Sequence, residues 1–184
     1  MIQISGDSMF DEQAVLSRVQ NLWMQLRLAW SSENLAPLKV YFSSSLYEKF
    51  ENELRQVQRI DRIHQDVRPA ILSSSLSYEG IRNGREILTC NMLTRYRPTE
   101  VKKQAGATPM GGQETFYRET WALGRPEGTL TPAPGHAFSV HCAQCGAALS
   151  LYKSAQCPFC GNLARVPDFT WTVENISQVR ELHP

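Results

Sequence analysis

The feature that most constrains this chain is a pair of cysteine knuckles, Cys142-Ala-Gln-Cys145-Gly146 and Cys157-Pro-Phe-Cys160-Gly161, with eleven residues between Cys145 and Cys157. A Cys-x-x-Cys turn aims two sulfurs into one hemisphere. Two such turns complete the closed tetrahedral shell of four thiolates that a structural zinc ion takes, with no position left for water or substrate. The halves echo each other, and the glycine after each second cysteine can take φ > 0, which lets the knuckle close. One structural zinc on Cys142, Cys145, Cys157 and Cys160 is therefore the expected cofactor. Two disulfides are the competing reading, but a thiolate site and an odd fifth cysteine, Cys90, both fit a reducing compartment. A segment spanning residues 139–167 cannot bury enough surface to fold alone. Zinc, contributing about 10–16 kcal/mol in small thiolate sites, would supply most of its stability.

The remainder of the chain reads as a globular domain. Apolar residues make up 42% and charged ones 20%, which excludes a disordered chain. Formal net charge is only +1, which argues against a generic binder of nucleic acid or membrane surface. The N-terminus has no basic start followed by an apolar core, so no signal peptide is read. No apolar run approaches the roughly 20 residues needed to span a bilayer. The expectation is a soluble, cytoplasmic protein.

Taken in order, residues 10–30 carry Leu16, Val19, Trp23, Leu26 and Trp30 at spacings of three and four, widened by Val15, Leu22 and Ala29. That predicts a helix with a broad buried stripe, capped by Asp7 or Ser8. A short helix is predicted over 35–41. Ser45 with Glu48 reads as a capping box opening a long helix to about Gln65, with Leu46, Phe50, Leu54, Val57 and Ile60 inward. Its outer face, Glu51 to Arg62, reads as a solvated charge pattern, and His64 falls near its end. Strands are predicted over 71–78 and 86–96, joined by an Arg82-Asn83-Gly84 turn that favours a hairpin. Residues 98–113 read as a loop. A third strand over 115–123 puts Tyr117, Glu119, Trp121 and Leu123 on one face. Residues 124–138, rich in proline and glycine, read as a linker. A short strand is expected at 149–152 between the knuckles, and a last strand at 169–173 with Phe169, Trp171 and Val173 on one face.

Helices followed by long strands give an α+β domain. At this level the residues resemble a known family. Leu22-Trp23 through Ala29-Trp30-Ser31, the segment from Leu35 to Tyr47, and Glu119-Thr-Trp121-Ala-Leu-Gly-Arg125 are similar to the bacterial Tim-forty-four-like domain proteins that carry a zinc ribbon. So is Cys-x-x-Cys-Gly-Ala-Ala-Leu followed by Phe169-Thr170-Trp171. The family is named for a subunit of the mitochondrial import motor, and the resemblance covers roughly residues 10–178. It implies a cone-shaped, nuclear-transport-factor-two-like fold: a curved antiparallel sheet packed on the N-terminal helices. The α+β domain would comprise 1–138 and 168–184, with the zinc ribbon at 139–167 inserted between neighbouring strands. The mitochondrial member contacts the inner membrane and partner proteins.

Glu119 is the sharpest feature outside the cysteines. A carboxylate among Tyr117, Trp121 and Leu123 on an inward face is costly unless paired. It could act as general acid or base, or line a cavity with Tyr117, Trp121 and Trp171. The alternative is a structural ion pair with Arg95, Arg97 or Arg125. Four cysteines fill a zinc shell, so neither His136 nor His141 is needed as a ligand. Cys90 shares a strand face with Met92 and reads as a buried, inert thiol. Phosphate-binding glycine loops are absent from the sequence. Lys153, Arg165, Tyr152 and Phe159 are a thin set for gripping nucleic acid.

The reading that follows is a non-enzymatic, zinc-stabilised adaptor that engages a partner protein, in a transport or secretion-related assembly. A small-molecule or lipid binder, or an enzyme, using the cone cavity around Glu119 is the alternative. Nucleic-acid binding through the ribbon is a second. Peripheral membrane association stays open.

Overall fold

Two helices pack on one face of an open, four-stranded antiparallel sheet, in a computed structural model that describes residues 2–59, 62–102, 112–132, 140–141, 145, 147–149, 157, 159–161 and 170–181. Helix α1 (Glu12–Ser31) buries Val19, Leu22, Trp23, Leu26 and Ala29, with Val15, Leu16 and Trp30 partly buried beside them. The predicted stripe is the buried stripe. The cap is not the predicted one, because residues 4–10 turn twice before the helix opens: Asp7 N–H donates to the Ile4 carbonyl and Phe10 N–H to the Asp7 carbonyl. Asp11 is left at the boundary, and its carboxylate accepts from Ala14 N at 3.0 Å.

The expected helix at 35–41 is a single 3-10 turn, Ala36–Leu38. Residues 39–41 continue as turn, and Phe42 then forms a β-bridge to Val173. The Tyr41 carbonyl accepts from Val173 N (2.8 Å), and Ser43 N donates to the Val173 carbonyl (2.9 Å). That bridge fixes Ser43 in extended geometry (φ −60°, ψ 152°), so Ser43 caps α2 (Ser44–Gln58) by accepting from Leu46 N. The Ser45–Glu48 capping box therefore does not form. Leu46, Phe50 and Leu54 are buried as expected and Val57 is half-buried, whereas Ile60 and Asp61 lie outside the described residues. The helix stops seven residues short of Gln65 because residues from Arg62 onward pair with β2. Long-range pairing overrides the helix-like charge pattern there. His64 accordingly sits on a strand, opposite Glu100.

Strand β1 (Arg62–Arg82) and strand β2 (Arg85–Lys102) form a hairpin far longer than the alternation at 71–78 and 86–96 suggests. Asn83 (φ 51°) and Gly84 (φ 70°) take the left-handed conformation of a type I′ turn, which matches strand twist. The alternation in β1 is broken by three register shifts, between Val67 and Ala70, Ile71 and Ser73, and Tyr78 and Gly80. Bulges of this kind bend a long strand and obscure its period of two. Residues 98–102, expected in a loop, are strand. The remainder of that loop from 103 to 111 lies outside the described residues.

Strand β3 (Thr115–Pro126) pairs with β2 on one edge and with the final strand, β6 (Thr172–Glu181), on the other, giving the order β1-β2-β3-β6. Gly124, Arg125 and Pro126 belong to β3 and not to a linker. The last strand begins at Thr172 and runs on to Glu181, so residues 170 and 171, expected in it, precede it; Trp171 and Val173 are buried, and Phe169 lies outside the described residues. A separate two-stranded ladder pairs β4 (Val140–His141) with β5 (Ala148–Leu149). Of the expected 149–152 strand, residues 150–152 are outside the described set. The core joins the α1 stripe to Leu88, Cys90 and Met92 of β2 and to Trp121 and Leu123 of β3. Phe50 ties α2 into it, meeting Trp30 and Phe42 edge-on at 5.9 and 5.8 Å. Each such pair adds about 0.5–1.5 kcal/mol beyond area burial.

Candidate metal centre and buried polar networks

The Cys157 knuckle begins with local backbone geometry. Gly161 takes φ 73°, which lets its N–H turn back onto the Cys157 carbonyl at 2.9 Å. The turn aims the N–H groups of Cys160 and Phe159 at the Cys157 sulfur. Burial works against ionising that thiol, but these N–H groups and the neighbouring thiols outweigh it, and Cys157 titrates below the ordinary thiol range. From the first knuckle, Cys145 brings its Sγ to 3.7 Å from Cys157 Sγ, and the sulfurs of Cys145, Cys157 and Cys160 all lie within 4.8 Å of one another.

Those separations fit a metal. Four sulfurs at about 2.3 Å from a tetrahedral zinc would be about 3.8 Å apart. A disulfide needs about 2.0 Å, and none of the described cysteines forms one. Cys145, Cys157 and Cys160 could hold a metal ion; Cys142, the predicted fourth ligand, lies outside the described residues, as does Gly146. Cys157 is buried, Cys145 and Cys160 are exposed, and Phe159 at the knuckle tip is 76% exposed. His136, Tyr152, Lys153 and Arg165 also lie outside the described set, and so does the side chain of His141.

Glu119 is 1% exposed and its carboxylate takes four donors. Oε1 accepts from Trp23 Nε1 (2.8 Å), Arg27 Nη2 (2.7 Å) and Thr94 Oγ1 (3.0 Å), and Oε2 accepts from Trp121 Nε1 (3.3 Å). The ion-pair partner is Arg27 of α1, not Arg95, Arg97 or Arg125. Arg27 lies between aromatic faces, 5.0 Å from the Trp23 ring and 4.5 Å from Tyr96, and also contacts Asp66 at 3.3 Å. Burial opposes its charge, but Glu119 first, then Tyr96 and Asp66, more than offset this and raise its pKa. Tyr117 is half-buried and stacks on Tyr96 at 4.5 Å. Tyr117, Glu119 and Trp121 thus share a face as read, at a protein-filled position.

Trp171 belongs to a second network that sequence reasoning missed. Its ring lies under the Arg125 guanidinium at 4.4 Å and meets Phe10 edge-on. Arg125 is fully buried between two carboxylates, Glu86 (2.5 Å) and Asp7 (2.8 Å). Asp7 also accepts from Thr131 N (3.0 Å) and Thr131 Oγ1 (2.7 Å). Burial pushes the Asp7 carboxyl up, but the Thr131 hydrogen bonds and Arg125 outweigh it and hold it below the ordinary range. Cys90 is buried without a charged partner, and burial pushes its thiol up to about 12, as an inert core cysteine requires.

Comparison of the chain with protein-family models finds none that matches, and comparison with curated proteins finds no match either.

Proposed function

We propose that this chain is a non-enzymatic, zinc-stabilised binding module of the Tim-forty-four-like kind. In this reading the open sheet on α1 is the wall of a cone, and residues 139–167 are a zinc ribbon set between β3 and β6, which pair with each other. Cys142 completes the shell begun by Cys145, Cys157 and Cys160. The ribbon and the adjoining surface engage a partner protein in the cytoplasm, within a transport or secretion-related assembly.

The observation that carries the reading is the convergence of three thiols within 4.8 Å of one another, close enough to hold a metal ion. The alternative centred on Glu119 has less support, because all four of that carboxylate's contacts are made by the protein itself. Among the described residues no helix is long and apolar enough to cross a membrane.

A native mass spectrum of the protein isolated gently from its own cells is the test, since it reads metal and co-purifying mass together. The expected result is one zinc per chain and a co-purifying polypeptide, both lost in Cys157→Ser. A retained small molecule, with no polypeptide and no change on Cys157→Ser, would overturn the reading.

A further inference from the structure

The three described cysteines of the metal site differ in their surroundings. Cys157 is buried, whereas Cys145 and Cys160 are exposed. A centre whose only task is to hold a fold shields its sulfurs, because burial is what keeps structural cysteines inert. Here two of the three residues are open to solvent. Cys145 Sγ stands 3.7 Å from Cys157 Sγ, across the gap between the two knuckles. The Cys157 knuckle is held by its own turn, since Gly161 N–H returns to the Cys157 carbonyl at 2.9 Å. One knuckle moving on the other by about 1.7 Å would bring this pair to a disulfide's ~2.0 Å and leave that turn intact. The fifth cysteine, Cys90, is buried in the core between sheet and helices and offers no competing thiol.

We infer that the cluster is a redox-sensitive switch, in which a hydroperoxide joins Cys145 to Cys157 as a disulfide and the site gives up its metal. The inference rests on the zinc reading given above. Coordination keeps a thiol sulfur deprotonated, so a metal-bound cysteine remains a nucleophile. Cys145, open to solvent, meets the oxidant first. Its Sγ attacks one peroxide oxygen, the O–O bond breaks, and a sulfenic acid and hydroxide result. Cys157 Sγ, buried beside it, then attacks the sulfenic sulfur; the S–S bond forms and a second hydroxide leaves. The two sulfurs give up two electrons and the peroxide takes both. Two protons from solvent turn the hydroxides into water, and no electron comes from the metal.

The bonded pair has no thiolate left to offer, so half of the four-sulfur shell is gone. A small segment that depends on its metal for folding free energy then loses that support. The partner-binding form of the ribbon is thereby confined to reducing conditions. A thiol reductant reverses the step by exchange, because the sulfenic acid is captured as a disulfide before it can pass to the irreversible sulfinic state. Exposed Cys145 as the entry point and buried Cys157 as the resolving thiol make the pairing specific. A link inside one knuckle is a different product.

The test treats the full chain, isolated reduced and without air, with one equivalent of hydrogen peroxide. Zinc release is followed with a chromogenic chelator against an untreated control, and thiols are counted in denaturant. The expected result is loss of the bound zinc and a fall from five thiols to three, two being lost to the disulfide. Dithiothreitol and added zinc should restore both. Lys153 lies between the knuckles, so trypsin parts them in the reduced chain. In the oxidised chain the two peptides should stay joined, and fragmentation should place the link at Cys145 and Cys157. Cys90→Ala, away from the site, should respond as the wild type does. Zinc held through the treatment overturns the switch alone, and so does a link that lies within one knuckle or involves Cys90. A chain that carries no zinc before peroxide is added overturns the metal reading, and the switch with it.

Discussion

Replacing Glu119 by glutamine discriminates a structural carboxylate from a functional one. The wild-type group is 1% exposed and takes hydrogen bonds from Trp23, Arg27, Thr94 and Trp121. Glutamine keeps the shape and one acceptor, but removes the charge that balances Arg27 and sets an NH2 group against a neighbouring donor. Breaking a buried ion pair by removing one partner costs about 3–5 kcal/mol. Arg27 retains Asp66 at 3.3 Å and two aromatic faces, which argues for the low end, about 3 kcal/mol. For a chain of this size each kcal/mol moves Tm by about 2–4 °C, so a drop of roughly 6–12 °C is expected in thermal unfolding followed by circular dichroism. Arg27→Met with Glu119→Leu should not recover that loss, because it leaves the Trp23, Trp121 and Thr94 donors without their acceptor and takes the cation from Asp66. A Glu119→Gln protein within about 1 kcal/mol of wild type would refute the structural account, because an unloaded carboxylate is what a ligand-binding role requires.

Acid should probe the second network. The folded-state pKa of Asp7 is depressed, so its contribution is fully present above the unfolded value of 3.8 and is lost as pH falls through and below it. Asp7→Asn should therefore lower Tm at pH 7 and converge on wild type as pH falls below 3.8; a constant difference down to acid pH would count against the assignment. Thiol titration should separate the cysteines: with a chelator present, the four of the proposed metal site react rapidly, while Cys90, buried with its thiol at about 12, reacts only on unfolding. Rapid reaction of all five in the folded protein would contradict the burial. Gly124→Ala would put a Cβ 2.3 Å from Glu174 Oε1, the free end of a flexible side chain. Displacing it from Arg85 costs about 0–1 kcal/mol for a half-exposed pair. Reduced unfolded-state entropy returns about 0.4–1 kcal/mol, so urea unfolding should show little net change.

The parts legible in the sequence were those with local causes. The α1 stripe, the Asn83-Gly84 turn, the inward face of β3 and the knuckle geometry at Cys157 all follow from period, turn chemistry or metal spacing. What failed was set by distant partners. The capping box at Ser45 looked sound locally but lost to Ser43, which is fixed by a bridge to Val173 far along the chain. The helix predicted to Gln65 lost its last turns to pairing with residues 97–102. Bulges hid the period of β1, so only its central third looked like a strand.

The partner of Glu119 shows where the boundary lies. Two of the three proposed arginines could have been excluded by parity: Cys90 and Met92 face inward on β2, so Arg95 and Arg97, at odd positions, face the other way. Arg125 shares the inward face of β3 but stands six residues along it, about 20 Å at roughly 3.3 Å per residue, beyond any side chain's reach. Elimination therefore points to a cation from the helical layer. Arg27, one turn beyond Trp23 on the α1 stripe, was the candidate of the right reach. Choosing it needed the angle and offset of α1 across the sheet, and no local pattern carries those. The same reasoning covers Arg125, Asp7 and Thr131: each looks like loop or linker chemistry until the ends of four segments are brought to one point. Charge pairs that hold a fold together are thus partly readable by exclusion from strand parity and reach. Their positive assignment waits on the packing of one layer against another.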